Sequence, residues 1–432
     1  MKIKYSLLIA NKKKNQLMIS SNSMRFLSNK LIPPIVEQFI GPLALFILTP
    51  IIINNLGTKE YGLWILLLSL SMFSQVICFG VTAWIAKTIS ECLSISDILK
   101  VKRIVRSSLS LIFIIFLPFL FVFIFLYLFD EIDKALIEII ILCIMSCLFQ
   151  EIDNLFANAT KGFELFDYSL LMEAIGRVVW TGCIVVGILR NDIIFYTCVA
   201  IAAKSLIKYI IFSFFVIKIW IIPSYSIYEI NSRLIESKWM FLQLLGGTSL
   251  SLFDRLLIPI VLGVNKLAAY APCIQLAQLA FSVPAAANQV LMPMFSRFKS
   301  KGNYPPNWLK MVILLSIFSG VPCFLLFIFS QEILAIWINT SFSNENYIIL
   351  RVLAVAYGTL SCLSTFHFIM LGIGESKMVA KINLLAGGLT MLATILVSQF
   401  GINYIVYMKF IYPIMQFKYL TSIKNFIKNS GQ

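Results

Sequence analysis

The sequence predicts an all-α polytopic membrane protein, with about 12 transmembrane helices in two six-helix bundles around a central cavity. Three observations carry that prediction. Of 432 residues, 59% are hydrophobic and 13% are charged, whereas soluble domains run at about 45–50% and about 25%. The mean hydropathy is +0.90. Polar residues fall in short bursts between apolar runs of about 20 residues, the length that crosses hydrocarbon as a helix. Such a chain cannot give several soluble domains their polar skins. Soluble enzymes, DNA-binding proteins and secreted disulfide scaffolds are excluded.

The spans follow in order, as helices because lipid leaves backbone polar groups no other partners. Leu31–Ile53 opens on Pro33 and Pro34, ordinary at a helix start. It carries Glu37, Gln38 and a kink-permitting Gly41-Pro42. Tyr61–Ala83 follows a tiny turn, and Ser107–Phe129 is almost wholly apolar. Leu136–Ala157 brings Glu151 and Asp153, Ser169–Leu189 brings Glu173 and Arg177, and Ile193–Ile217 brings Lys204 and Lys208. Trp239–Gly263 holds Gly246 and Gly247, which permit bending, then Asp254 and Arg255. Ala268–Met292, Leu309–Ser330, Tyr347–Leu371 and Met378–Phe400 follow, and Ile402–Leu420 closes the set with Lys409.

These spans divide the chain into a segment 1–30, a six-helix bundle 31–220, a linker 221–238, a second bundle 239–423 and a tail 424–432. Residues 1–30 are polar and basic, and the patch Ser6–Ala10 is too short for a signal-peptide core. Met24 stands directly before the first span, so residues 1–23 are expected to be dispensable.

The net charge of +15 is explained by topology. With both termini cytoplasmic, most of the Lys and Arg residues fall on the inner side. The outer side receives Lys59, Lys134, Arg190, Lys266 and Arg351, beside the acidic Asp130, Glu131 and Asp133. That asymmetry is the positive-inside pattern, so no nucleic-acid partner is called for. The nine cysteines are scattered without a CxxC and read as small core residues. The single histidine, His367, offers no histidine metal site, and no metal or cofactor is expected.

Ionisable residues deep in spans are functional candidates. Glu173 and Arg177 are one helical turn apart and can pair. Adjacent Asp254 and Arg255 point different ways, so each needs its own partner. Lys208 is near enough to the inner side to snorkel. Lys204 and Arg255 are the harder cations to explain as packing, and Arg177 and Lys409 join them. This interior excess of cations points to an anionic substrate such as a phosphate or pyrophosphate. Glu37 and Asp254 are the acidic candidates for proton or sodium coupling.

The chain also repeats itself. Leu56-Gly57-Thr58-Lys59-Glu60-Tyr61-Gly62-Leu63-Trp64 parallels Leu262-Gly263-Val264-Asn265-Lys266-Leu267-Ala268-Ala269-Tyr270. Each is a Leu-Gly, a polar turn, then small and aromatic residues as the next helix begins, as two related halves would give. A polar stripe Ser71, Gln75, Cys78, Thr82 in the second span is matched by Gln275, Gln278, Ser282, Ala285, Gln289 in the eighth. Helical spacing puts each on one face. Packing between helices would explain such stripes, but recurrent glutamines favour the lining of a wet cavity that a polar substrate could enter.

No phosphate-binding GxxxxGK[ST] loop and no nucleophile elbow is present. A secondary transporter, a channel or a membrane-embedded transferase remains, and no recurrent pore segment favours the channel.

The run Gly57 to Trp64, the following span with Phe79-Gly80 and Lys87, and the pair Asp254-Arg255 with Gly263 and Tyr270 resemble the polysaccharide-unit (O-antigen, Wzx-like) flippases. These belong to the multidrug/oligosaccharidyl-lipid/polysaccharide exporter superfamily. Two positions depart from that pattern: Cys78 stands where an aspartate is usual, and Lys87 where an arginine is usual. The resemblance implies two bundles facing across a cationic cavity in the bacterial inner membrane. It implies a cargo of lipid-linked oligosaccharide on undecaprenyl pyrophosphate, moved by alternating access. Membrane lipids, and a complex with other polysaccharide-assembly membrane proteins, complete the partners. A multidrug or organic-cation antiporter of the same fold, which would favour an acidic cavity, and a membrane glycan polymerase or ligase are the alternatives.

Overall fold

The computed structural model describes residues 23–78, 80–94, 98–128, 134–217, 220–224, 241, 252–288, 291, 292, 294, 295 and 308–429. The dispensability of residues 1–23, most of the 221–238 linker, Gln289 and the Gly246-Gly247 bend therefore lie outside the described residues, Ser23 aside.

Every element among the described residues is helical. In chain order they are α1 (Ser23–Ile77), α2 (Val81–Ser94), α3 (Ile98–Leu128), α4 (Lys134–Gly162), α5 (Phe166–Arg190), α6 (Ile193–Ile211), α7 (Phe253–Leu262) and α8 (Val264–Asn288). Then come α9 (Trp308–Ile328), α10 (Ser330–Trp337), α11 (Thr340–Gly372), α12 (Ser376–Val397), α13 (Ile402–Met408), α14 (Ile411–Gln416) and α15 (Lys418–Asn429). A π-helical turn, Phe212–Ile217, extends α6. Eight helices among the described residues are long and apolar enough to cross a membrane. The first of them, Phe39–Ile77, is two limbs joined at Gly57 (φ 86°, ψ 172°).

That kink is half of a pair. Gly263, between α7 and α8, has φ 86° and ψ 161°, a conformation that an L side chain would strain. The Leu-Gly repeat read from the sequence is thus a repeated backbone turn. The helices that leave the two turns also approach each other closely. A Cβ on Gly62 would stand 2.6 Å from the Val264 carbonyl oxygen, so only glycine lets the second limb of α1 approach α8 there.

The core follows from this contact. One apolar cluster is shared by both halves, with Leu48, Ile52, Tyr61 and Trp64 from the first and Ala268, Tyr270, Ile274 and Leu353 from the second. Two further clusters are private. Ile85, Ile104, Phe156 and Phe212 belong to one, and Phe295, Trp308, Ile369 and Tyr419 to the other. The outward-facing surface is apolar in the manner of a lipid-facing wall, with Phe119, Phe121, Ile317, Phe318 and Phe324 all well exposed.

Three spans differ from their sequence expectation. The second is interrupted: α1 ends at Ile77, and the chain turns through Gly80 (φ 66°) before α2. The ninth is followed by an extra short helix, α10, which sends the Trp337 indole N–H to the Phe46 carbonyl at 2.9 Å. The twelfth is not one rod but α13, α14 and α15 in succession. Gly401, with φ 111°, sets the entry to α13, and Pro413 sits inside α14.

Candidate functional site

The charged residues of the first half gather into one buried knot. On α5, Glu173 and Arg177 lie a turn apart, as do Lys204 and Lys208 on α6, so two ladders face each other. Arg177 Nη2 reaches Glu173 Oε1 at 2.8 Å. Lys204 Nζ lies 3.0 Å from Glu173 Oε1 and 3.3 Å from Asp153 Oδ2 of α4. Lys208 Nζ donates to Asp153 Oδ2 and to Glu173 Oε2, both at 2.8 Å. The fit depends on Gly176, where a Cβ would meet the Lys204 Cγ at 2.8 Å. Three cations are set against two carboxylates, which leaves one positive charge in excess.

Two expectations change here. Lys208 does not snorkel; it is 2% exposed and held by two carboxylates. Lys204 is likewise enclosed by carboxylates, because α4 and α5 both present acids to the α6 ladder. Arg177 stays half-buried and stacks over the Trp180 ring at 5.0 Å. Its Nε has no hydrogen-bond partner.

Glu37 is not part of this knot. Its Oε1 pairs with Lys161 at 2.9 Å and its Oε2 accepts from Ser169 at 3.0 Å.

The second half carries a smaller knot. Asp254 and Arg255, at the start of α7, do find separate partners. Asp254 Oδ2 pairs with Lys409 Nζ at 2.9 Å and accepts the Tyr270 hydroxyl. Arg255 Nη2 donates to the amide oxygen of Gln278 at 2.8 Å, and Gln278 donates in turn to the Tyr357 hydroxyl at 3.2 Å. Two cations meet one carboxylate, so this knot also has one positive charge in excess. Arg255 is half-buried, and its Nε also has no hydrogen-bond partner. Gln275, one turn before Gln278, accepts from Thr49 of α1 at 3.2 Å. That bond joins the two halves of the molecule beside the second knot.

The two polar stripes part company. In α8, Gln275 and Gln278 are half-buried; Gln278 joins the second knot and Gln275 bonds to Thr49 of α1; the structure does not describe Gln289. In the second span, Ser71, Cys78 and Thr82 are buried and Gln75 is half-buried. Cys78 and Thr82 contact α4, so this part of the stripe is helix packing. Its centre is Glu151, noted in the sequence only as a charge near the end of its span. The Glu151 carboxylate, 0% exposed, contacts Ser74, Thr82 and Asn154. It also touches Cys78, where the resemblance leads one to expect a carboxylate. The signal that could have found it was the hydroxyl pair Ser74 and Thr82 on either side of Phe79-Gly80.

Comparison with known proteins agrees with this architecture. No curated protein matches the chain in sequence. Among solved structures, the lipid II flippase MurJ in an inward closed conformation superposes with a TM-score of 0.72 at 13% identity, over 90% of this chain and 87% of that one. An inward-facing conformation of a multidrug resistance MATE family transporter of the MOP superfamily gives 0.69 at 12% identity, covering 90% and 96%. An outward-facing conformation of a MATE family transporter gives 0.58 at 13% identity, covering 93% and 95%. At such identities the likeness establishes the two-lobed fold alone. The family model for polysaccharide biosynthesis proteins matches residues 30–299, more than half of the chain. The eight helices of membrane-crossing length make this a multi-pass membrane protein, and the chain belongs to the polysaccharide biosynthesis protein family.

Proposed function

We propose that this protein flips undecaprenyl-pyrophosphate-linked oligosaccharide, an O-antigen or similar surface-polysaccharide unit, across the bacterial inner membrane by alternating access. The observation that carries the reading is the charge balance of the two buried knots. Each has one cation more than its carboxylates, and in each an arginine, Arg177 or Arg255, has an Nε without a partner. A pyrophosphate cannot cross hydrocarbon unaided, because unpaired charge is costly to bury. Guanidinium groups bind phosphate oxygens through paired N–H donors, so the two arginines are the leading contacts and Lys204 and Lys409 supporting ones. Gln275, Gln278 and Gln289 are assigned to the glycan, and the prenyl chain stays in lipid between the bundles 31–220 and 239–423. The basic balance argues against an organic-cation exporter, whose cargo would call for net negative charge.

Glu37 and Asp254 were the sequence candidates for ion coupling. Both are salt-bridged, to Lys161 and Lys409, so a coupling role for either requires that its bridge open during the cycle. The distribution of Lys and Arg in the loops supports a cytoplasmic position for both termini.

The test is complementation of a deletion strain with Arg177→Ala and Arg255→Ala, scored by surface glycan against immunoblotted protein. Loss of glycan at normal protein level, with unit-length lipid-linked glycan accumulating on the cytoplasmic face, is the expected outcome. Altered chain length with normal flipping would instead indicate a polymerase, and dye efflux without glycan complementation an exporter. Wild-type glycan in both variants would remove the arginines from the site.

A further inference from the structure

The buried carboxyl of Glu151 lies outside both knots and is built differently from every acid in them. It sits where the second span breaks. α1 ends at Ile77, the Val81 N–H bonds back to the Cys78 carbonyl at 3.1 Å, and the Gly80 N–H reaches the Gln75 carbonyl at 3.0 Å. Glu151 touches both sides of this break. Its Oε1 lies 2.9 Å from Ser74 Oγ, on the α1 side, and its Oε2 lies 3.0 Å from Thr82 Oγ1, on the α2 side. Asn154 Nδ2 donates to Oε1 at 2.9 Å.

Its surroundings are neutral. Asp153, two residues on, points roughly 200° away around α4, toward Lys204 and Lys208 of α6 and, beyond them, Glu173 and Arg177 of α5. The basic residues of α3, Lys100, Lys102, Arg103 and Arg106, lie in its first turns, and Arg106 Nε donates to the Ile222 carbonyl. The titratable groups that face Glu151 are the thiols of Cys78, in the break, and Cys147, one turn earlier on α4. On α2 the side chains of Lys87 and Glu91 lie outside the described residues; Lys87 is about 140° around the helix from Thr82. Among the described residues no lysine or arginine comes within salt-bridge distance of Glu151, whereas Glu37, Asp153, Glu173 and Asp254 each have one.

The hydrogen count bears on the charge. A serine hydroxyl has one hydrogen to donate. Ser74 Oγ stands 2.5 Å from the Ser71 carbonyl oxygen, an acceptor only, and 2.9 Å from Glu151 Oε1. If Glu151 were ionised, the carbonyl and the carboxylate would have to share that one hydrogen, in a fully buried site where no described lysine or arginine offsets the charge. A proton on Oε1 supplies the second hydrogen. Glu151 then donates to Ser74, Ser74 donates to the Ser71 carbonyl, and Thr82 and Asn154 donate to the carboxyl.

We propose that Glu151 is a proton-binding site that staples the α1–α2 break, neutral in this conformation and losing its proton to water when the break opens. Ionisation would force the Ser74 hydroxyl to turn from the Ser71 carbonyl toward the carboxylate, which loosens the last turn of α1. The proposal concerns this carboxyl alone and holds whichever lipid is carried.

The experiment is infrared difference spectroscopy between pH 5 and pH 9 on the full chain in lipid nanodiscs. A protonated-carboxyl C=O band that shifts in D2O, is absent from Glu151→Gln and moves in frequency in Ser74→Ala is expected. Glu151→Gln should fold, because its amide can donate to Ser74 and accept from Thr82 once the Asn154 amide turns its oxygen toward it; should it fail to, the Ser74→Ala shift decides alone. An identical difference spectrum in wild type and in the variant that folds overturns the proposal. So does a band that disappears on adding sodium at constant pH, which would make this a metal-cation site. Glycan complementation by the wild-type chain is scored separately, so that a missing glycan phenotype counts against the flippase reading and leaves this one standing.

Discussion

The two charge knots have the same net balance and opposite designs. In the first half, Asp153, Glu173, Arg177, Lys204 and Lys208 come from three neighbouring helices of one bundle, and every one of them has an ionic partner within that bundle. In the second half, Asp254, Arg255 and Lys409 use one ion pair and then hand over to neutral groups, Tyr270, Gln278 and Tyr357. Gln275, on the same helix as Gln278, bonds across to Thr49 of the first half. The first knot therefore fixes helices α4, α5 and α6 against one another. The second stands beside the contact between halves, where a rocking motion would be felt. Equal charge does not imply equal role: one knot is closed on itself, and the other is open to the partner half.

The sharpest way to break this contrast is to remove one carboxylate from each knot. Asp153→Ala leaves Lys204 and Lys208 both leaning on Glu173 in a site with almost no water access. Stripping one partner from a buried ion pair costs about 3–5 kcal/mol. Thermal unfolding in detergent should show a large loss of stability, or loss of folded protein in the membrane. Asp254→Ala removes the acid paired with Lys409, itself 2% exposed, and should cost a comparable amount. A much smaller loss for Asp153→Ala than for Asp254→Ala would mean that the second knot is the structural one.

Next in expected size is Gly62→Ala. The added methyl group must displace the Val264 backbone, which belongs to the packed end of the molecule and not to a flexible side chain. Overpacking of this kind costs about 1–3 kcal/mol. Because α1 and α8 would be forced apart, disulfide trapping between cysteines introduced at Thr58 and Asn265 should also slow. Unchanged trapping would show that the two Leu-Gly turns do not fix the contact between halves.

How much of this could be seen in the chain itself depended on whether the cause was local. Spans, caps and the Leu-Gly repeat are local, because hydropathy and glycine act through the residues that carry them. The matching φ values of Gly57 and Gly263 follow directly from that pattern. The Glu173–Arg177 pair was equally legible, being a turn apart on one helix. The enclosure of Lys204 was not, since its acids arrive from α4 and α5, 51 and 31 residues away in the numbering. The partners of Glu151 were not legible for the same reason: Ser74 and Thr82 are polar but unremarkable until a carboxyl from another helix reaches them. The breaks in the second and twelfth spans were not legible from hydropathy, which measures the crossing length but not the continuity of the rod, although Gly80 and Pro413 stand at them.

The smallest effect expected is also the one most specific to the contact between halves. Thr49→Val keeps the shape of the side chain and deletes the hydroxyl that donates to Leu45 at 2.8 Å and to Gln275 at 3.2 Å. One hydroxyl hydrogen serves both acceptors, and Tyr61 lies 3.5 Å away as a further partner, so the loss is shared and amounts to about 0.5–1.5 kcal/mol. Stability should scarcely change. The balance between conformations should change more, because Gln275, whose Nε2 is already without a partner, would lose its bond to the first half altogether. Spin labels placed on α1 and α8 should then show a wider distance distribution in Thr49→Val than in the wild type. Gln275→Leu, which removes the other end of the same bond, should reproduce it, and the double variant should add nothing further. Additive broadening would show that the two residues act through separate contacts, and that the second knot is not coupled to the first half through this bond.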